Sequence, residues 1–292
     1  MTAFAQNPSI DFSTLQARAQ AIRLLVVDID GTISGQSNDI SPPVLEALKA
    51  VQAKGIAVTI ATGRMYSSAK RFHQLLNSTL PLIAYQGAWI QDTTSDSLLQ
   101  HWKLTPIQVT YLLDYFEQPH LRDRIDVHLY IGDRLHVRNI TAHTEHYSSR
   151  SGIKPVAAGD LRSTLATPPT KLLALGPDSQ LIQSCLVELK TLTPPEPLHL
   201  TTSSATFLEA THPQANKGDA VRYLAERVLG LESHQVMTIG DNFNDLEMLM
   251  YAGIGIAMGD APTPVKQKAD WVTVSAEEDG VAKALNALLL NA

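Results

Sequence analysis

Asp28 and Asp30 stand one residue apart at the end of the apolar run Leu24-Leu25-Val26-Val27, and Gly31-Thr32 follow them. A short, unbroken apolar run reads as a strand buried on both faces, as in a parallel sheet. In open α/β sheets ligands bind at the carboxyl ends of strands, which is where Asp28 falls. Two acids in such a place are costly unless a cation or a reaction uses their charge. An Asx-Gly turn would account for Asp30-Gly31, but it gives Asp28 nothing to do. Three further segments offer chemistry in a similar setting: Thr62-Gly63-Arg64, Lys217-Gly218 and Gly240-Asp241-Asn242-Phe243-Asn244-Asp245. Together the four segments hold a nucleophile, a second carboxylate, a hydroxyl, an ammonium and acidic metal ligands. That inventory suits phosphoryl transfer, in which catalysis is mainly positioning and neutralisation of charge.

Each segment must be held by an element. Residues 23–28 are expected as the first strand. Ser41-Pro42-Pro43 then opens a helix, with Ser41 as candidate N-cap and proline tolerated in the first turn. Val44, Leu45, Leu48 and Val51 form its apolar face, and Gly55 ends it. A second buried strand over 56–60, a helix over 65–77 and a short strand at 82–85 follow. The rhythm returns late, with helices at 217–229, 243–252, 262–268 and the C-terminus between strands at 236–239, 254–257 and 271–274. Strands alternating with helices predict an α/β core built on a doubly wound parallel sheet, formed by residues 1–85 and 211–292. Residues 86–210 read differently. Two hairpins (88–90 with 98–102, and 127–131 with 135–137) join helical segments near 106–118 and 178–191 and strands near 171–175, 197–202 and 206–210. This pattern predicts an inserted α+β module. Residues 13–22 have moderate helix propensity.

The totals narrow the function. A chain of 292 residues is long enough for one large or two ordinary domains. Hydrophobic residues at 44% and charged residues at 18% describe a soluble globular protein. The net charge of −6, with no basic block, argues against nucleic acid as a partner. An acidic protein that handles an anion must concentrate positive charge locally, and a bound divalent cation does this simply. The single cysteine, Cys185, excludes an internal disulfide and suits a reducing compartment. The first 20 residues show no basic start followed by an apolar run, and no stretch approaches a membrane span. A cytoplasmic location without membrane partners is expected.

In this order, and across nearly the whole chain, Asp28-x-Asp30-Gly-Thr, Thr62-Gly63-Arg64, Lys217-Gly218 and Gly240-Asp241-x-x-Asn244-Asp245 resemble the motifs of the haloacid dehalogenase (HAD) superfamily. The resemblance is to the Cof-type, class IIB phosphatases, whose HAD-like core carries a large α+β cap. It implies a magnesium-dependent phosphomonoester hydrolase acting on a small phosphorylated metabolite, such as a sugar phosphate or cofactor phosphate, through an aspartyl-phosphate. Asp28 is then the nucleophile, while Asp30 protonates the departing alkoxide and later activates water. Mg2+ is expected on Asp28, the main-chain carbonyl of Asp30 and Asp241, with Asp245 as a direct or supporting carboxylate. Thr62 and the Gly63 amide are expected to hold phosphate oxygens, Lys217 to neutralise the phosphoryl group, and Asn244 to contact phosphate or leaving group. Arg64, at a helix start, reads more readily as solvated or paired with a surface acid than as a substrate contact.

The chain also departs from the pattern. Gln86-Gly87-Ala88 stands where the family usually shows Asn-Gly-Ala. The stretch 86–210 matches only in length and pattern, and substrate identity is expected to lie there. His128, Tyr130, Arg134 and His136 on the second hairpin are candidate contacts, and Lys171 is either structural or turned into the cap. His136, His143 and His146 lack the cysteines or the H-E-x-x-H spacing of a zinc site and read as surface or substrate-rim residues. A phosphomutase of the phosphomannomutase type would use the same carboxylates. It would also need a second phosphate site, for which Arg122, Arg124, Arg134, Arg138, Arg150 and Arg162 are the available arginines. A phosphate-binding regulator has no need of a general acid, so the intact set of acids argues against one. Either a monomer or a homodimer is compatible with the sequence.

Overall fold

The computed structural model describes residues 11–291. Helix α1 (Phe12–Ala19), capped by Asp11, leads into β1 (Leu24–Val27), whose side chains are all buried. Strand side chains alternate between faces. Leu25 and Val27 therefore join one apolar cluster with Val44, Leu48 and Val51, whereas Leu24 and Val26 join another with Val221 and Leu224. This two-sided burial is why β1 reads as an unbroken apolar run. Helix α2 (Pro42–Ala53), β2 (Ala57–Ile60), α3 (Tyr66–Leu75) and β3 (Leu82–Ala84) complete the first block. Ser41 occupies the expected N-cap position of α2, but its hydroxyl donates to Asp279 at 2.5 Å. Pro42 and Pro43 carry no N–H, so only the Val44 N–H remains for a capping oxygen to serve.

Strands β4 (Trp89–Gln91) and β5 (Leu98–His101) form an antiparallel sheet with β3. A parallel bridge between Ala61 and Ile83 ties that sheet to the end of β2. The hairpin around residues 88–102 is thus hydrogen-bonded beside the core sheet. Beyond it come α4 (Pro106–Phe116), β6 (Asp126–Ile131), β7 (Arg134–Val137), α5 (Ala142–Ser151), β8 (Pro155–Ala157) and β9 (Lys171–Leu175). Helix α6 (Ser179–Thr191), β10 (His199–Ser204) and β11 (Phe207–Thr211) follow. These strands make a six-stranded sheet in the order β10-β11-β9-β6-β7-β8. Val109, Leu112 and Phe116 of α4 and Ile182, Cys185 and Leu189 of α6 bury Leu129, Leu172 and Leu208 on one face of it. Tyr130, Leu173 and Leu175, on the opposite face, belong to the cluster that also contains β1 residues.

Helix α5 and strand β8 occupy a stretch where the sequence pattern suggests no element. Only Thr144 and Ser148 of α5 are buried, so it has no apolar stripe to reveal it. Thr141 caps its start, and Gly152, at φ 68°, ends it in the left-handed conformation.

The last block contains α7 (Lys217–Arg222), β12 (Val236–Gly240), α8 (Leu246–Tyr251), β13 (Ile254–Ala257), α9 (Thr263–Lys266), β14 (Trp271–Val272) and α10 (Gly280–Leu285). Its strands complete a parallel sheet in the order β14-β13-β12-β1-β2. Helices α2 and α10 cover one face, and α7 and α8 the other. Val27 is in register with both Ile60 and Ile239. The carboxyl ends of β12, β1 and β2 consequently lie side by side, about 4.8 Å from strand to strand. Among the described residues, no helix is long and apolar enough to cross a membrane.

Candidate active site

Asp28 follows β1 directly, its main-chain N–H donating to the Ile239 carbonyl at 3.0 Å, and its side chain is buried. Lys217, the first residue of α7, is fully buried beside it. Its Nζ donates to Asp28 Oδ1 and to Asp245 Oδ1, both at 2.6 Å. The other oxygen of Asp245 accepts the main-chain N–H groups of Asp241 (2.9 Å) and Asn242 (3.1 Å). Asp245 therefore ties the lysine to the turn that presents Asp241. Carboxylate oxygens of Asp28, Asp241 and Asp245 lie within 4.8 Å of one another. Gly31 has φ 82°, and a Cβ there would collide with the Asp241 carboxylate, so glycine is what lets the two loops meet.

Three carboxylates share one ammonium in this cluster. Burial lifts the Asp28 carboxyl to about 7 against the pull of Lys217, with Asp245 and Asp30 adding to the rise. Burial, then the neighbouring Asp245 and Asp28 carboxylates, push Asp241 well above the usual range. Burial would lower Lys217, but Asp245 and Asp28 override it and hold the ammonium more firmly protonated than usual. The excess of hard oxygen donors over positive charge fits a hard divalent cation.

Asp30 points away from this cluster. Its carboxylate accepts two hydrogen bonds from Arg64, from Nε at 2.7 Å and Nη2 at 2.6 Å. Burial raises this carboxyl, but the Arg64 hydrogen bonds and charge, helped by Lys217 and Arg150, hold it below its ordinary value. Arg64, expected to be solvated or paired with a surface acid, is instead paired with the expected general acid, Asp30.

Thr62 is fully buried, and its hydroxyl accepts the Arg64 N–H at 3.1 Å, closing the turn after β2. Gly63 and Asn244 line a cavity of about 470 Å³ that opens over Asp28, Asp30 and Asp241, whereas Thr62, Lys217 and Asp245 lie behind its surface. Asn244 donates from Nδ2 to Gln86 Oε1 at 3.0 Å, and its Oδ1 has no hydrogen-bond partner among the described residues.

The far wall of the cavity comes from the six-stranded module: His143, His146, Tyr147 and Arg150 of α5, and Ser203, Ser204, Thr206 and Phe207 around the β10–β11 turn. Of the histidines expected at the rim, His143 and His146 are there and His136 is not. The hairpin candidates His128, Tyr130, Arg134 and His136 do not line the cavity. Helix α5 covers His128 and Tyr130 of β6, with His128 Nε2 2.9 Å from Thr144 Oγ1 and the Tyr130 hydroxyl donating to Tyr147 at 2.7 Å. It presents its own residues instead. Their spacing of three, four and seven from His143 was the one available signal. Lys171 turns inward and pairs with Glu209, a residue that sequence reasoning passed over although it interrupts the apolar strand Phe207–Thr211.

A family model described as haloacid dehalogenase-like hydrolase matches residues 25–285. The 5-amino-6-(5-phospho-D-ribitylamino)uracil phosphatase YwtE of Bacillus subtilis is 30% identical over 288 residues, covering 92% of this chain and 98% of the relative. A haloacid dehalogenase-like hydrolase from Bacteroides thetaiotaomicron superposes with a TM-score of 0.77 at 26% identity, covering 91% of this chain and 98% of that one. The subclass IIB sugar phosphatase BT4131 shares the fold, with a TM-score of 0.76 at 22% identity, covering 90% of this chain and 98% of its own. With the acidic cluster at the strand ends and a separate α+β module facing it, the chain belongs to the haloacid dehalogenase-like hydrolases, as a phosphatase.

Proposed function

We propose that the protein is a magnesium-dependent phosphomonoesterase for a small metabolite, working through an aspartyl-phosphate on Asp28. The observation that carries this reading is the buried Asp28–Lys217–Asp245 cluster with Asp241 beside it. Asp28, the main-chain carbonyl of Asp30 and Asp241 would hold Mg2+, which when bound supplies positive charge to the phosphoryl oxygens. Asp245, with both oxygens occupied, supports Lys217 and the Asp241 turn.

Lys217 holds one oxygen of Asp28, leaving the other to attack phosphorus. As the P–O bond to Asp28 forms, the bond to the leaving oxygen breaks and Asp30 delivers a proton to it. Asp30 must first gain that proton, so the incoming phosphate, itself an anion, has to loosen the Arg64 pair. Water then attacks phosphorus, Asp30 takes its proton, and inorganic phosphate leaves with Asp28 restored. Gly63 and Asn244 line the cavity, and the Gly63 amide and the Asn244 side chain would hold the non-bridging oxygens of the transferring phosphoryl group.

The cavity also bears on the substrate. YwtE is named for a phosphorylated ribitylamino-uracil. Here Tyr147 and Phe207 offer aromatic surface, Ser203 and Ser204 offer hydroxyls, His143 and His146 offer imidazoles, and Arg150 offers positive charge. A phosphorylated polyol carrying a flat, polar ring suits that wall. Of the six arginines a mutase could recruit, only Arg150 lines the cavity. Arg162 is held by Asp114 and Glu117, Arg124 by Asp178, and Arg138 by the Arg122 carbonyl. This favours hydrolysis over phosphate exchange.

The test is a phosphate-release screen across phosphorylated metabolites with Mg2+ and no bisphosphate activator. Free phosphate from at least one polyol or sugar phosphate is expected. Absence of release, or release only with a bisphosphate, would overturn the reading.

A further inference from the structure

The wall between the two modules contains a buried ion pair that the chemistry above does not use. Lys171 opens β9 and Glu209 lies in the neighbouring strand β11; each is 2% exposed, and Nζ stands 3.0 Å from Oε2. Such a pair is costly to bury unless its remaining donors and acceptors are also satisfied. The Ser203 hydroxyl, from the same sheet, donates to Glu209. The other partners come from across the junction. Lys171 Nζ donates to the Gly63 carbonyl at 2.7 Å, and Glu209 Oε2 accepts from Gln86 Nε2 at 2.9 Å. Gln86, at φ 60° and buried, in turn accepts from Asn244.

The direction of every bond in this chain is forced. A carboxylate only accepts, so Gln86 must turn its amide nitrogen to Glu209 and its oxygen to Asn244. Asn244 must then turn its own nitrogen to Gln86, which fixes the plane of its amide and the direction of its second N–H. At the other end, Lys171 holds the Gly63 carbonyl, and the N–H of that same Gly63–Arg64 peptide donates to Thr62 Oγ1 at 3.1 Å, so the turn that carries the Gly63 N–H is tied on its far side. Gln86 lies directly against Gly63, where any Cβ would collide with its amide nitrogen. Length matters as well: asparagine at position 86, one methylene shorter, would not span from Asn244 to Glu209.

We propose that Lys171, Glu209 and Gln86 are positioning residues that orient the Asn244 amide and, through the Gly63 carbonyl, the turn that carries the Gly63 N–H, so that the phosphate-holding groups are set when the six-stranded module is seated on the core. The proposal rests on the phosphatase reading for the role of those two groups, though not for the hydrogen-bond chain itself.

The experiment compares wild type with Gln86→Asn, Glu209→Gln and Lys171→Arg. It measures kcat and KM for para-nitrophenyl phosphate with Mg2+, and the Kd of inorganic phosphate by calorimetry. Gln86→Asn and Glu209→Gln should raise KM and the phosphate Kd together by about tenfold, the worth of one charge-assisted hydrogen bond, while kcat falls less. Lys171→Arg, which keeps charge and donors, should change both far less. A merely structural loss would lower kcat through the fraction folded and leave KM and Kd in place. Gln86→Asn is the mildest change; wild-type KM and phosphate Kd in that variant, with an unchanged circular dichroism spectrum, would overturn the proposal. A phosphate Kd raised by Gln86→Asn in a protein that hydrolyses no phosphomonoester would support the chain of bonds and defeat the phosphatase reading instead.

Discussion

Two lysines are buried in this molecule with opposite surroundings. Lys217, at the mouth of the core sheet, stands against Asp28 and Asp245 with Asp241 close by. Lys171, in the six-stranded module, has one carboxylate, Glu209, and a ring of neutral partners: the Gly63 carbonyl and the faces of Tyr130 and Tyr85. Among the described residues, the first cluster sets three carboxylates against one ammonium, and burial together with that excess lifts Asp28 and Asp241 above the usual range; the second is balanced, one carboxylate to one ammonium. Burial of uncompensated charge is tolerated where chemistry or a cation uses it, whereas a balanced, fully bonded pair fixes geometry.

The sharpest way to break this contrast is at the nucleophile. Asp28→Asn removes one of the surplus charges, so hydrolysis of an aryl phosphate should fall by about a thousandfold or more. The thermal midpoint should stay level or rise, because the remaining carboxylates repel less. Near-wild-type turnover would remove the distinction between the two clusters.

Replacing each lysine by methionine tests the same point through stability. Both changes should cost about 3–5 kcal/mol in urea unfolding, since each strands buried carboxylate charge. Mg2+ should restore part of the loss in Lys217→Met, whose carboxylates lie where a cation would sit, and none of it in Lys171→Met. Equal responses to Mg2+ would erase the difference.

In the wild type, Mg2+ at a hundred times its Kd should add about 2.7 kcal/mol of stability. Asp241→Asn should abolish that increment while Glu209→Gln keeps it, as differential scanning calorimetry would show.

The smallest effect concerns pH. Burial, then the Lys171 charge, lower the pKa of His128 to about 3, so this histidine is neutral in the folded module. The unfolded chain takes up its proton near 6.5, and stability is therefore lost as pH falls below that value. The slope should be about 1 kcal/mol per pH unit, continuing towards pH 3. His128→Gln should flatten the unfolding free energy between pH 6.5 and 5 by that amount. An unchanged slope would mean that the module's interior tolerates added charge as the core mouth does.

Much of the core was legible because its signals are local. The buried runs 24–27 and 236–239 end in the acids they position, and parallel register brings those ends together without further information. The cavity wall was not legible in the same way. Helix α5 carries Ala142-His143-Thr144-Glu145-His146-Tyr147-Ser148-Ser149-Arg150-Ser151, with no apolar stripe, and is held by Thr141, Gly152 and the Tyr130–Tyr147 contact. Arg64 reads from sequence as solvated or paired with a surface acid, and only the turn after β2 brings it to Asp30. Gln86 and Glu209, 123 positions apart in the chain, carry no pattern that announces their contact. Their hydrogen bond exists only once two modules meet.

The central claim is that Asp28 becomes covalently phosphorylated. A millisecond acid quench of the Mg2+-loaded enzyme with a 32P-labelled phosphomonoester, followed by trypsin digestion, tests it directly. The account predicts hydroxylamine-labile label on the peptide of residues 24–49, absent in Asp28→Asn. Rapid phosphate release with no label on that peptide, or label on another one, would contradict it.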